Sequence, residues 1–154
     1  MTTRKAIAVG ALAVGVLDIA DAMLFFWIRN SVPPTRILQS IAAGVLGRDA
    51  AVAGGLQTAA LGLVLHFVIA TLVVTVIVLA AKNIPAVAAA VRRPLITGPV
   101  YGLIVFVMMY TVILPMSRVS GGIPPWGPSL WNAVLIHMFG VGLPAVLAAR
   151  AAAR

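Results

Sequence analysis

The chain of 154 residues contains no cysteine, no glutamate and only three acidic residues, Asp18, Asp21 and Asp49. Without cysteine there are no disulfides, no thiolate catalysis and no cysteine-bound clusters, and the redox compartment is left undetermined. Without glutamate there is no Asp/Glu pair and no H-E-x-x-H zinc motif. Asp18 and Asp21 are then the only two carboxylates placed to work as a pair. A Gly-rich phosphate loop and a nucleophile elbow are missing too. Charge is scarce: 9% of residues are charged, against about 25% in ordinary soluble domains.

What the chain does contain is apolar. It is 62% hydrophobic, its mean hydropathy is +1.13, and runs of about 18 or more mostly apolar residues recur. The expected class is an all-α integral membrane protein, a single transmembrane domain over residues 1–154. The formal charge of +8 comes from basic residues dispersed at the ends of apolar runs. They form no basic stripe with an aromatic reading surface, which argues against nucleic acid and for anionic lipid headgroups.

Four spans are expected, at about 6–28, 56–81, 95–114 and 129–148, making a four-transmembrane-helix bundle. The first imitates a secretory signal: Arg4 and Lys5 precede an apolar stretch, and Ala20-Asp21-Ala22 resembles a cleavage site. Met23 to Ile28 continue the apolar run past that point, so the helix is read as retained. Pro33-Pro34 then break the chain. Ile37, Leu38, Ile41, Ala42, Val45 and Leu46 lie on one face of a helix over 36–46, with Arg36, Gln39 and Ser40 opposite. Its length of about 16 Å at 1.5 Å per residue is too short to span, which predicts a short outer amphipathic helix, interfacial or re-entrant. Residues 48–55 read as a turn, 83–94 as an Ala-rich connector, and 116–128 as a Gly/Pro-rich loop.

Orientation follows from the basic residues. Arg4, Lys5, Lys82, Arg92, Arg93, Arg150 and Arg154 fall on one side and Arg29, Arg36, Arg48 and Arg118 on the other, seven against four. Both termini are therefore expected in the cytoplasm. Trp27, Trp126 and Trp131 all fall at the opposite boundary, as interfacial anchors do.

The polar residues inside the spans are the candidate site. An aspartate at the centre of a membrane helix costs roughly 2.5–3.5 kcal/mol on insertion scales, so Asp18 and Asp21 need a partner, a proton or a use. Counting about 1.5 Å per residue, Asp18 and His66 lie about 15 Å below the outer boundary, His137 about 12 Å and Asp21 about 10 Å. Tyr110 is shallower. Asp18 shares a stripe with Ala11, Gly15 and Ala22. His66 shares one with Gly55, Ala59 and Gly62, and His137 one with Ala133, Gly140 and Pro144. Gly98 and Gly102 make a G-x-x-x-G on the third span. Small residues allow close helix approach, so Asp18, His66 and His137 are expected to point into one core, with Asp21 at the stripe's edge.

Four readings of this layer stand together. Asp and His can hold helices in register through hydrogen bonds, with a carboxylate paired to His or to Arg118 from the outer loop, in a non-enzymatic subunit or regulator. They can carry protons or ions, alone or in a homo-oligomer or membrane complex. Two histidines on separate helices can ligate haem, or His66, His137 and Asp18 can hold a divalent metal. Paired carboxylates can catalyse. The methionines read as core filling rather than copper ligands, and no cofactor is predicted.

The order of features in Leu65–Lys82 (LHFVIATLVVTVIVLAAK), the Pro-containing link, the span opening near Gly98, the loop Ile123 to Pro128 and Ile136–Arg150 (IHMFGVGLPAVLAAR) resembles the YagU-like family of bacterial inner-membrane proteins. The resemblance covers the C-terminal two-thirds of the chain. It implies a multi-pass inner-membrane protein with a family association with acid tolerance, and it carries no site residue. The chain departs from the family in lacking cysteine and in its short segment between spans one and two.

Overall fold

The computed structural model describes residues 1–119 and 121–153. Arg154, counted above for orientation, lies outside the described residues. Seven helices are described: α1 (Thr3–Asn30), α2 (Pro34–Leu46), α3 (Arg48–Ala53), α4 (Gly55–Asn83), α5 (Pro85–Ala90), α6 (Pro94–Met116) and α7 (Pro128–Ala152). The long ones, α1, α4, α6 and α7, are each long and apolar enough to cross a membrane. The protein is an all-helical, four-helix membrane bundle.

The spans outrun their predicted limits, and in α1 capping extends the helix at both ends. Thr2 Oγ accepts from the Lys5 N–H at the start of α1, and Ser31, in the left-handed region at φ 52°, returns its N–H to Phe26 and Trp27. Such a C-terminal residue satisfies carbonyls that the last turn leaves free. Pro33-Pro34 then forces a new start, and Pro34 opens α2. Pro85, Pro94 and Pro128 likewise open helices, where their missing N–H costs nothing.

Residues 48–55 depart from the predicted turn. Arg48–Ala53 is a short helix, because the alanines favour helix and Asp49 suits its first turn. The reversal into α4 is made at Gly55, φ +58°, a conformation that glycine adopts without a Cβ penalty. Part of the Ala-rich connector is also helical, as α5.

Packing divides the bundle into two halves. At the end carrying the termini, Val74 and Val78 of α4, Val91, and Ala145, Val146 and Ala149 of α7 form a fully buried apolar core. Met1 N donates to the Ala151 carbonyl at 3.0 Å and Lys82 Nζ to Thr3 Oγ1 at 2.9 Å, closing that end. At the opposite end Trp27, Trp126 and Trp131 are exposed, with the last two rings edge to face at 5.0 Å. Exposed Leu12, Val16, Leu72, Val76, Leu95 and Ile96 make an apolar exterior suited to lipid.

Two close seams set the helix arrangement. Between α6 and α7, Gly98 and Gly102 face Gly142: a Cβ on Gly98 would stand 2.7 Å from the Leu143 Cα, and one on Gly102 would collide with the His137 carbonyl. Between α2 and α4, a Cβ on Gly62 would collide with the Leu38 carbonyl. The amphipathic helix α2 is thus clamped onto α4 rather than lying apart. Gln39 was expected on its polar face, yet it is buried, 6% exposed. Its Nε2 donates to the Gly55 carbonyl at 2.9 Å, which also accepts from Thr58 Oγ1 at 3.0 Å. On the same face Ala42, Ala43 and Ala51 make a small core of their own.

Candidate functional site

Along the stripes of small residues Ala11 and Gly15, Ala59 and Gly62, Gly98 and Gly102, and Ala133 and Gly140 are buried, while Gly55, expected on the His66 stripe, is exposed where α4 begins. α4 packs on α1, α2 and α7, and α6 packs chiefly on α7. Between α4 and α6 lies a cavity of about 450 Å³. Ile37, Ser40, Ile41 and Gly44 of α2 form one wall, and Ser117, Pro124 and Ser129 stand at the loop end. Tyr101 Oη donates to the Val73 carbonyl at 2.6 Å and joins α6 to α4 at the cavity's floor, where Val73 lines it.

All five residues singled out from the sequence line this cavity: Asp18, Asp21, His66, His137 and Tyr110. His66 Nδ1 is 4.0 Å from Asp18 Oδ2, with side chains 11% and 29% exposed respectively. On the other side of its ring, His66 Nε2 lies 2.9 Å from the Gly15 carbonyl. A carbonyl only accepts, so Nε2 carries the proton and Nδ1 faces Asp18. At closer range Nδ1 can accept from Asp18 when the acid is protonated, or donate to the carboxylate when the ring is imidazolium. Closing 4.0 Å to hydrogen-bond range needs a movement of about 1 Å.

His137 is oriented by its own helix. Its Nδ1 lies 2.8 Å from the Ala133 carbonyl and donates to it, which leaves Nε2 as the acceptor in the neutral ring. His137, Phe106 and Tyr110 form an aromatic group: the imidazole is edge-on to Phe106 at 5.5 Å and 6.1 Å from the Tyr110 ring. Tyr110 and His137 sit in the two π-helical stretches of the bundle, Met109–Ile113 and Ile136–Gly142. Pro115 and Pro144 follow these closely. A proline removes the N–H that would close the preceding α turn, and widening to a π turn re-aims side chains, as it does at many functional sites.

Asp21 differs from the expectation. Arg118 is exposed and bonds through its backbone, its N–H donating to the Gly44 carbonyl at 2.9 Å. The partner of Asp21 is Asn132, whose Nδ2 donates to Oδ2 at 2.6 Å. Asn132 stands beside Ala133 at the edge of the α7 stripe, as Asp21 stands at the edge of the α1 stripe. That matched offset was the available signal for the pair. Tyr101 and Gln39 were also not singled out, and nothing in a period distinguishes their bonds from exposure to lipid or water.

Among the described residues no three His or Asp side chains converge as a metal site would require. His66 Nδ1 and His137 Nε2 are the two ring nitrogens not engaged by backbone. Among the residues lining the cavity there is no Lys or Arg.

The fold defines a multi-pass membrane protein with a mainly apolar cavity that holds a few polar groups. No family model matches the chain, and no match was found among curated proteins or solved structures.

Proposed function

We propose that the protein is a non-enzymatic, multi-pass protein of the bacterial inner membrane that holds a small molecule in the cavity between α4 and α6. It acts as a binding or regulatory subunit, its termini in the cytoplasm and the cavity reached from the outer side. The seven-to-four split of basic residues supports the orientation, and the resemblance to the YagU-like family supports the membrane. The observation that carries the binding reading is the cavity itself. About 450 Å³ of space lined by apolar side chains, with a few convergent polar groups at its base, has the size and make-up of a small-molecule site.

The test uses the full chain in detergent and a panel of naphthyl-alkyl compounds that differ in one head group: primary amine, acetylated amide and carboxylate. Ser40→Trp and Ile69→Trp each place an indole at the cavity wall. Equilibrium dialysis should show saturable binding of at least one compound by the wild type, reduced about tenfold or more in both folded variants. Binding equal in wild type and both variants ends the reading.

A second reading is favoured by the Asp18–His66 pair, an acid and a base 4.0 Å apart inside the bundle. In a proton pathway, Asp18→Asn would abolish proton flux in proteoliposomes while the protein still folds. Absence of flux from the wild type ends it. Conduction also requires a route through the apolar core around Val74, Val78 and Val146, which in a single bundle is tightly packed.

A further inference from the structure

We infer that the cavity between α4 and α6 selects an amphipathic amine, a cationic nitrogen on an apolar body. The inference rests on the binding reading above and names its ligand class.

The first argument is a balance of donors and acceptors. The firm donors around the cavity are spent inside the protein: Asn132 Nδ2 on Asp21, His66 Nε2 on the Gly15 carbonyl and His137 Nδ1 on the Ala133 carbonyl. Ser40 and Ser117 hydroxyls donate to the Ile37 and Leu114 carbonyls, each at 2.7 Å. The groups left over are mostly acceptors: Asp18, the second oxygen of Asp21 and the His137 Nε2 lone pair, beside the Tyr110 and Ser129 hydroxyls, which can both donate and accept. Among the described residues no fully buried polar side-chain atom lacks a partner, so these spare acceptors are the ones that open to the cavity. A molecule that completes them brings N–H donors.

The second argument is charge. Eleven Lys and Arg face three acidic residues in the whole chain, yet two of the three acids line this one cavity and none of its described lining residues is Lys or Arg. A cationic protein thus encloses an anionic pocket. In an apolar surrounding a carboxylate attracts a cation far more strongly than it does in water, and an anionic head group would meet Asp18 and Asp21 with no Lys or Arg among the described lining residues. The third argument is the wall. The Phe25 ring already carries the Arg29 guanidinium at 5.8 Å, and Phe26 and Tyr110 also line the cavity, aromatic groups that favour an ammonium or guanidinium over a neutral group. Ile37, Ile41 and Ile69 receive the apolar body.

The same naphthyl panel decides it, now read for preference. In the wild type the amine should bind about tenfold or more tighter than the amide, and the carboxylate weakest. Asp18→Asn and Asp21→Asn should each weaken the amine about tenfold and change the amide by less than about twofold. Asn is close in shape to Asp, and helicity with a monodisperse elution profile shows which variants fold. If both fail, the amine-to-amide ratio of the wild type still decides. If amide and amine bind alike and both are blocked by Ser40→Trp and Ile69→Trp, the ligand class is refuted and the binding reading stands. If none binds above micelle partition, both fall.

Discussion

Replacing Gly102 by alanine should loosen the bundle at the seam that carries the site. A Cβ at Gly102 would overlap the His137 carbonyl oxygen and stand 2.7 Å from the Met138 Cα. Both are backbone atoms, so no side-chain rotation relieves the clash, and α6 and α7 must part by about 1 Å to reach ordinary contact. Overpacking of this kind costs about 1–3 kcal/mol. Opening the seam also gives up contacts at Gly98 and Gly142, which sit in the same groove, so the upper part of that range is expected. Gly44→Ala is the control. A Cβ there would meet the Ser117 Cβ at 3.6 Å, an ordinary contact, and alanine favours helix over glycine by about 0.8–1.0 kcal/mol. In detergent, with unfolding followed by far-ultraviolet circular dichroism, Gly102→Ala should be clearly less stable than wild type and Gly44→Ala as stable or more so. Because His137 rides on the displaced turn, binding of the naphthyl amine should fall in Gly102→Ala as well. Equal stability of the two variants would refute the backbone seam.

A double-mutant cycle of Asp21→Ala and Asn132→Ala should give a coupling of about 0.6–1.7 kcal/mol, the range for polar pairs between membrane helices; additive effects would show that the 2.6 Å bond contributes nothing. Gln39→Leu removes one donor to the Gly55 carbonyl and should cost about 0.5–1.5 kcal/mol, the net worth of one hydrogen bond, since Thr58 Oγ1 still donates to that carbonyl. Amide exchange should accelerate in α2 and in the first turns of α4, and unchanged exchange there contradicts the clamp. The absorbance spectrum and elemental analysis of the purified protein should show neither a Soret band nor a stoichiometric metal; either result would reassign His66 and His137 as ligands.

The layer of polar residues was legible because two periodicities agreed. Asp18, His66 and His137 each lie on a stripe of small residues, and counting residues from the span boundaries put them at similar depth. Both inferences use only the regular geometry of a helix, which a lipid environment enforces by leaving backbone groups no other partner. Asp21 at the edge of its stripe was legible for the same reason. Its partner was harder to see, because Arg118 offered opposite charge in a nearby loop whereas Asn132 offered only an amide on another helix. The short bond was decided by the packing of α7 on α1.

Hydropathy, proline positions and small-residue spacing by themselves determined that this chain is a four-helix membrane bundle with Asp18, His66 and His137 turned inward. They could do so because burial in lipid demands long apolar helices, and close approach demands small residues. Only the tertiary structure decided that the layer borders a cavity rather than a filled core. That outcome depends on how far apart α4 and α6 are held, which the glycine seams at Gly62 and Gly102 set by pulling α4 toward α2 and α6 toward α7. The π-helical turns that aim Tyr110 and His137, and the burial of Gln39 against Gly55, belong to the same class. Each is a small departure from ideal helix geometry whose stability comes from a neighbour distant in sequence, and no period along the chain records it.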